Sequence, residues 1–142
     1  MRSDDGDPAA PATEDPVGTM MAADHASAML GIRVTDYGAG RATATMTVRP
    51  DMVNGHDIAH GGLIFTLADT AFACACNSHG PVTVAAGCEI TFIAPARTGD
   101  VLVATAAERT VFGRSGIYDV TVRRGPEVIA EFRGRSHRLS RR

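Results

Sequence analysis

From Leu63 to Ser78 the chain carries neither proline nor glycine, and apolar side chains fall on nearly every side of the helix this run predicts: Leu63, Ile64, Phe65, Leu67, Phe72 and Cys74. A helix that is apolar almost all round has to be wrapped by other structure. It is too short to cross a bilayer, which takes roughly 20 apolar residues, so the wrapping must be protein. With 142 residues, 44% of them hydrophobic, the chain has room for one compact domain with its own core.

The flanking sequence supplies strands. Ile32–Tyr37 and Arg41–Val48 are joined by Gly38-Ala39-Gly40, a hairpin signal. The second run alternates, with Ala42, Ala44, Met46 and Val48 pointing one way and Thr43, Thr45 and Thr47 the other, as in a half-buried strand. After Gly80-Pro81 come four more strand-like runs, Val82–Ile93, Val101–Glu108, Gly116–Arg123 and Glu127–His137, separated by short Gly- and Pro-containing connections. Connections this short predict antiparallel neighbours. Two strands, one buried helix and four strands make an α+β architecture, a strongly curved antiparallel sheet around one long central helix. The domain is expected over residues 19–140, opening on a short helix over Thr19–Leu30 with Thr19 as its N-cap and Gly31 closing it. Residues 1–18 are acidic, rich in Pro and Ala and without periodicity, and are expected to form a disordered tail.

Several function classes drop out on composition. A net charge of −2 leaves no electrostatic footprint for nucleic acid or an anionic membrane. The N-terminus has no basic segment followed by an apolar one, so export is not expected and the cytoplasm is the default. Cys74, Cys76 and Cys88 are odd in number with no CxxC spacing, which argues against disulfides and a zinc site and suits small core residues. His56 and His60 are four apart, but Asp57-Ile58-Ala59 between them lacks the glutamate of a zinc-protease helix, and no metal is expected. Gly113-Arg114-Ser115-Gly116 is one residue short of a serine-hydrolase elbow, and no phosphate-binding or dinucleotide fingerprint is present.

The chemistry gathers on and before the helix. Asp69 is the only charged residue between His60 and His79. A carboxylate on an otherwise apolar helix is costly unless partnered, hydrated or functional. Thr66, Asp69, Thr70 and Asn77 recur at helical spacing, so the helix is expected to keep one polar stripe. Asp69 is therefore either a hydrogen-bonded link within the structure or a reacting group; burial would raise its pKa and nearby donors would lower it. Ahead of the helix, Asn54-Gly55-His56 and His60-Gly61-Gly62 flank a loop. The first N–H groups of a helix are unpaired and sit at the positive end of its dipole. The Gly61 N–H, with the Asn54 amide as a second donor and His60 orienting the loop, suits a developing oxyanion. The alternative is a glycine-rich turn with Asn54 in an Asx-turn.

Asn54-Gly55-His56-Asp57-Ile58-Ala59-His60-Gly61-Gly62 followed by Leu67-Ala68-Asp69-Thr70-Ala71-Phe72-Ala73 resembles the thioesterases of phenylacetic acid degradation, within the hotdog superfamily. Phe132-Arg133-Gly134-Arg135-Ser136-His137-Arg138 and Gly116-Ile117-Tyr118-Asp119 extend the likeness, which covers about Asp24 to Leu139. The resemblance implies a hotdog fold and hydrolysis of an acyl-CoA thioester, with phenylacetyl-CoA and its ring-hydroxylated relatives, such as hydroxyphenylacetyl-CoA, as substrates. It implies Asp69 as nucleophile or general base, the Gly61 N–H on the thioester carbonyl, Asn54 assisting and His60 in support. It also implies a homotetramer, a dimer of dimers, working without cofactor or metal. The human-type branch places a water-positioning serine where this chain has Ala85, so either Thr83 or Thr70 is expected to stand in or the water is held otherwise. Arg114 and Ser115 are candidate contacts for CoA phosphates. The competing readings are a hotdog acyl-CoA hydratase or dehydratase and a non-catalytic acyl-CoA-binding module. Gly61 and Asp69, eight residues apart, stand about 12 Å apart along one helix, too far to serve one carbonyl, so sites shared between the two chains of a homodimer are expected.

Overall fold

The computed structural model describes residues 15–139. In chain order the elements are α1 (Pro16–Ala22), α2 (His25–Met29), β1 (Arg33–Gly38), β2 (Arg41–Thr47), α3 (Gly61–Asn77), β3 (Thr83–Phe92), β4 (Val101–Phe112), β5 (Ser115–Arg124) and β6 (Glu127–Arg138), with a short 3₁₀ turn at Pro50–Met52. The six strands form one antiparallel sheet in the order β1-β2-β4-β5-β6-β3, and α3 lies across its concave face.

The sheet accepts the helix because its inner face is built of small side chains where they meet. Ala42, Ala44, Ala104 and Ala106 are at most 2% exposed, and Leu67, Ala68 and Ala71 of α3 are fully buried. Gly134 of β6 sits directly under the Phe72 ring, where a Cβ atom would come within 2.7 Å of it. Larger rings close the ends of this contact, with Phe72 packed at 5.6 Å from Tyr118 and 5.8 Å from Phe132 between ring centroids. The alternation in β2 is as the sequence predicts, with Ala42, Ala44 and Met46 buried and the threonines turned outward. The hairpin before it turns on positive φ at Gly38, Ala39 and Gly40.

Three features differ from the sequence reading. The single helix over Thr19–Leu30 is two short helices, capped by Asp15 and Asp24 rather than by Thr19: Asp15 accepts the Gly18 N–H at 2.9 Å and Asp24 accepts the Ser27 N–H at 2.9 Å. An acidic side chain three residues upstream captures a free helical N–H, and two such caps divide one amphipathic run into two. The tail boundary at Gly18 consequently falls inside α1, whose Val17 is 1% exposed; residues 1–14 of the expected tail lie outside the described residues. Gly31, with φ +71°, closes α2 as expected.

The second difference concerns neighbours. β3 and β4 do not form a hairpin: β3 pairs only with β6, while β4 runs between β2 and β5. Their connection instead crosses the end of the sheet, held where the Ala96 carbonyl accepts the Ala59 N–H at 2.7 Å and the Gly99 N–H donates to the Val48 carbonyl at 2.8 Å. This leaves β3 as an edge strand, with Val84 and Phe92 and the flanking Val82 and Ile93 between 43% and 63% exposed.

The third concerns the polar stripe on α3. Thr70 and Asn77 are buried at 6% exposure each, whereas the residues that escape the sheet are Gly62, Thr66, Asp69 and Ala73, at helical spacing along the opposite side. The helix is thus wrapped on all but one stripe, and Asp69 lies in the middle of it.

Because α1 buries Val17, a chain starting at Thr19 is expected to melt at least about 3 °C below one starting at Glu14, as loss of a buried valine dictates. Thermal unfolding of the two truncations checks this; equal midpoints would show that α1 contributes nothing to the core.

Candidate active site

At the N-terminus of α3 the loop and helix are locked together by their own polar groups. The Asn54 Oδ1 accepts the backbone N–H of His56 at 2.8 Å and, more weakly, that of Ile58 at 3.4 Å. This Asx-turn orients the amide, since two N–H donors require the oxygen on their side, and turns Nδ2 the other way. No acceptor for Nδ2 exists among the described residues. His60 is the N-cap: its Nδ1 accepts the Gly62 N–H at 3.1 Å, and its own N–H donates to the Met52 carbonyl at 2.8 Å. With Nδ1 acting as acceptor, the neutral ring carries its proton on Nε2.

Gly61 is left with an N–H that meets no acceptor among the described residues. It sits at the positive end of a 17-residue helix. Asn54 and Gly61 line the same cavity of about 470 Å³, closed on its far side by Phe92, Ile93 and Pro95. The Phe92 ring lies so close over Gly61 that a Cβ there would stand 2.9 Å from it. Two N–H donors without an acceptor among the described residues thus belong to residues that line one cavity at a helix N-terminus. The Asx-turn reading of Asn54 holds, and the turn leaves the amide nitrogen without a partner among the described residues.

Asp69 has no hydrogen-bond partner among the described residues. Half buried without donors, its carboxyl is pushed above the usual carboxylate range, first by desolvation and then by the negative charge of Asp24. Desolvation wins the contest that the sequence left open. Asp69 does not line the Asn54–Gly61 cavity.

The remaining candidates fall elsewhere. Thr70 faces inward, its hydroxyl 2.9 Å from both the Ser27 hydroxyl and the Thr66 carbonyl. Thr83 opens β3, where Asn77 clamps its backbone at 2.9 Å and 3.0 Å and its hydroxyl donates to Pro81 at 2.9 Å. Ala85 is exposed on the same edge strand. Thr83, Arg114 and Ser115 do meet, in a second cavity of about 370 Å³ beyond the C-terminal end of α3, together with His79, Glu108, Tyr118, Ser136 and Arg138. There Glu108 Oε1 takes both the Tyr118 hydroxyl at 3.0 Å and His79 Nε2 at 2.6 Å. Ser136 is 4% exposed with no partner for its hydroxyl among the described residues. The cysteines are unpaired; burial holds the Cys74 and Cys76 thiols up at about 12, and Cys88 is half buried.

Sequence reasoning missed Asp24 and Ser27 beneath the helix, Phe92 over Gly61, and Ser136. Asp24 had a legible signal, since aspartate is among the preferred N-cap residues, whereas Ser27 had none. The other two depend on strand register and leave no local trace.

Residues 56–131 match the Thioesterase superfamily. The chain belongs to this superfamily: it is a hydrolase of thioester bonds built on a hotdog fold. It is 48% identical over 111 residues to the acyl-coenzyme A thioesterase PaaI of Escherichia coli, covering 78% of this chain and 79% of the relative. The structure of the E. coli PaaI protein from the phenylacetic acid degradation operon superposes with a TM-score of 0.86 over 88% of this chain and 91% of that one, at 43% identity. A putative esterase of Archaeoglobus fulgidus is 34% identical over 79% of this chain and 73% of its own length.

The raised Asp69 pKa has a consequence for stability. The folded state holds the Asp69 proton more tightly than the unfolded chain does, so stability is lost as pH rises from about 3.9 through the folded value and then levels off. Asp69→Asn, which cannot ionise, is therefore expected to melt above the wild type at pH 7–8, with the gap closing toward pH 4. Thermal scans across that range check it; a gap that widens on acidification would show that Asp69 is stabilised by partners instead.

Proposed function

We propose that the protein hydrolyses an acyl-CoA thioester, phenylacetyl-CoA or a ring-hydroxylated relative, to the free acid and CoA, in a site that two chains build together. The observation that carries this reading is the division of the chemistry along α3: oxyanion donors at Gly61 and Asn54, a donorless carboxylate at Asp69, and about 12 Å of helix between them. Two copies of α3 related by a two-fold axis bring Gly61 and Asn54 of one chain opposite Asp69 of the other. The incompletely covered stripe of α3 and the exposed apolar edge of β3 favour the same assembly, because an unpaired edge strand of this kind is normally covered. Pairing of such dimers gives the dimer of dimers.

In the complete site the thioester carbonyl points at the Gly61 and Asn54 N–H groups. Asp69 of the partner then acts on the carbonyl carbon, either directly as the attacking oxygen or by taking a proton from the attacking water. The negative charge that builds on the carbonyl oxygen is met by the two donors, and its collapse expels the CoA thiolate. This leaves the free acid where water attacked or, where Asp69 attacked, a mixed anhydride that water then hydrolyses to the acid and the regenerated carboxylate. A carboxylate whose basicity is raised by burial is a better base and nucleophile at neutral pH. With Ala85 in place of a serine and the Thr83 hydroxyl turned to Pro81, the backbone and substrate are left to hold the water. Arg114 and Ser115 suit the CoA phosphates from the second cavity. Arg114 has no carboxylate partner among the described residues, and Arg138, whose backbone N–H donates to the Arg114 carbonyl at 2.8 Å, lines the same cavity.

Free-thiol release across aryl- and alkyl-acyl-CoAs identifies the substrate class, and Asp69→Asn is expected to lower kcat by roughly 10²–10⁴-fold in a folded protein. Co-refolding a chain disabled at Asp69 with one disabled at Asn54 puts both lesions in one site of each mixed dimer and leaves its other site intact. Activity should return to about a quarter of wild type under random pairing. Mixed dimers as inactive as either parent would exclude the shared site.

A further inference from the structure

The geometry points to Asp24 as a positioning residue for hydrolysis, holding through Ser27 and Thr70 the turn of α3 that carries Asp69 and placing a second negative charge behind it. The proposal rests on the reading of Asp69 as the reacting carboxylate. Ser27, 2% exposed on α2, faces Thr70, 6% exposed on α3, across 2.9 Å between hydroxyl oxygens 43 residues apart in the chain. Ser27 Oγ is also 2.6 Å from Asp24 Oδ2, while Asp24 Oδ1 accepts the Ser27 N–H at 2.9 Å. Asp24 is thus held at both oxygens by one residue.

Proton counting gives this chain a direction. Ser27 and Thr70 have one hydroxyl proton each, but three oxygen–oxygen approaches compete for them: Ser27 to Asp24 at 2.6 Å, Ser27 to Thr70 at 2.9 Å and Thr70 to the Thr66 carbonyl at 2.9 Å. The shortest is the charge-assisted one, so the Ser27 proton goes to the carboxylate. Ser27 Oγ can then only accept from Thr70, whose single proton is shared between Ser27 Oγ and the Thr66 carbonyl. Without Asp24, Ser27 loses the carboxylate that holds both its N–H and its hydroxyl, and its proton is free to turn to Thr70.

Thr70 is the residue after Asp69, so this bond sets the rotation and depth of the turn that presents Asp69. The same arrangement acts on charge. Asp24, from α2, is the charged group that raises the Asp69 carboxyl. The other titratable groups that sense Asp69 are the thiols of Cys76 on α3 and Cys88 on β3, both held neutral by burial, with Arg135 of β6 acting on Cys88. A fixed negative charge behind Asp69 keeps it basic without giving it a donor that would quench it.

Asp24→Asn tests this, because asparagine caps a helix as well as aspartate while removing the charge and the acceptor that takes the Ser27 hydroxyl proton. Two measurements are made: the acid limb of kcat/KM against pH, and a carbon-13 NMR titration of the Asp69 carboxyl, assigned by its loss in Asp69→Asn. Both should move to lower pH in Asp24→Asn, while Ser27→Ala, which keeps the charge and breaks the bond, should lower kcat roughly 10-fold with KM little changed. Superimposable Asp69 titrations in wild type and Asp24→Asn overturn the proposal, as does unchanged kcat in Ser27→Ala. The NMR titration needs no substrate, so it decides the coupling even if no acyl-CoA is cleaved, an outcome that would sink the thioesterase reading separately. If Asp24→Asn fails to fold, Asp24→Ser, a second good cap, takes its place in both measurements.

Discussion

Everything in this molecule follows from how closely α3 approaches the sheet. Ala42, Ala44, Ala104 and Ala106 offer the helix a floor without protruding side chains, and Gly134 lets the Phe72 ring rest on the strand itself. Such an approach buries Leu67, Ala68 and Ala71 completely, a gain proportional to the area removed from water. It also forces the sheet to curl, since six strands can stay in contact with one helix only by wrapping it. Any enlargement of the floor would lift the helix and shift both ends of the site together, because a close-packed interior transmits strain.

The curl accounts for where polar groups can survive. All but one stripe of the helix is denied to water, so the hydroxyl of Thr70 and the amide of Asn77 face inward only because each is matched, Thr70 by Ser27 and Asn77 by the backbone of Thr83. Asp69 sits on the stripe the sheet does not reach, dry enough to be shifted and open enough to be reached. Its raised pKa follows from burial without donors and from the negative charge of Asp24. The N-terminal corner solves the complementary problem. His60 satisfies Gly62, Asn54 satisfies His56, and these local bonds leave the Gly61 N–H and the Asn54 amide nitrogen without acceptors among the described residues, in residues that line one cavity.

Much of this was legible in the order of residues. An uninterrupted apolar run with one acid in it specifies a wrapped helix and marks Asp69 as costly, and both statements depend only on local composition and periodicity. Strand positions followed from alternation, and the glycines around Asn54 and His60 marked a close backbone approach. Those signals are local, so a sequence displays them directly. The pattern of threonines misled for the same reason: spacing placed Thr70 on a polar stripe with Asp69, but a hydroxyl can be buried against another hydroxyl, and nothing near Thr70 in the chain announces Ser27.

What only the tertiary structure decided were the relations between distant segments. That β3 lies beside β6 and not β4, that Phe92 covers Gly61, and that the charge felt by Asp69 is Asp24 are all consequences of packing between elements tens of residues apart. The direction of the Asp69 shift belongs with them. A sequence states that a carboxylate is present, but its pKa depends on water excluded and charges gathered from the whole fold. Desolvation and long-range Coulomb forces are summed over space, and the order of residues along the chain does not encode which parts of that space they will share.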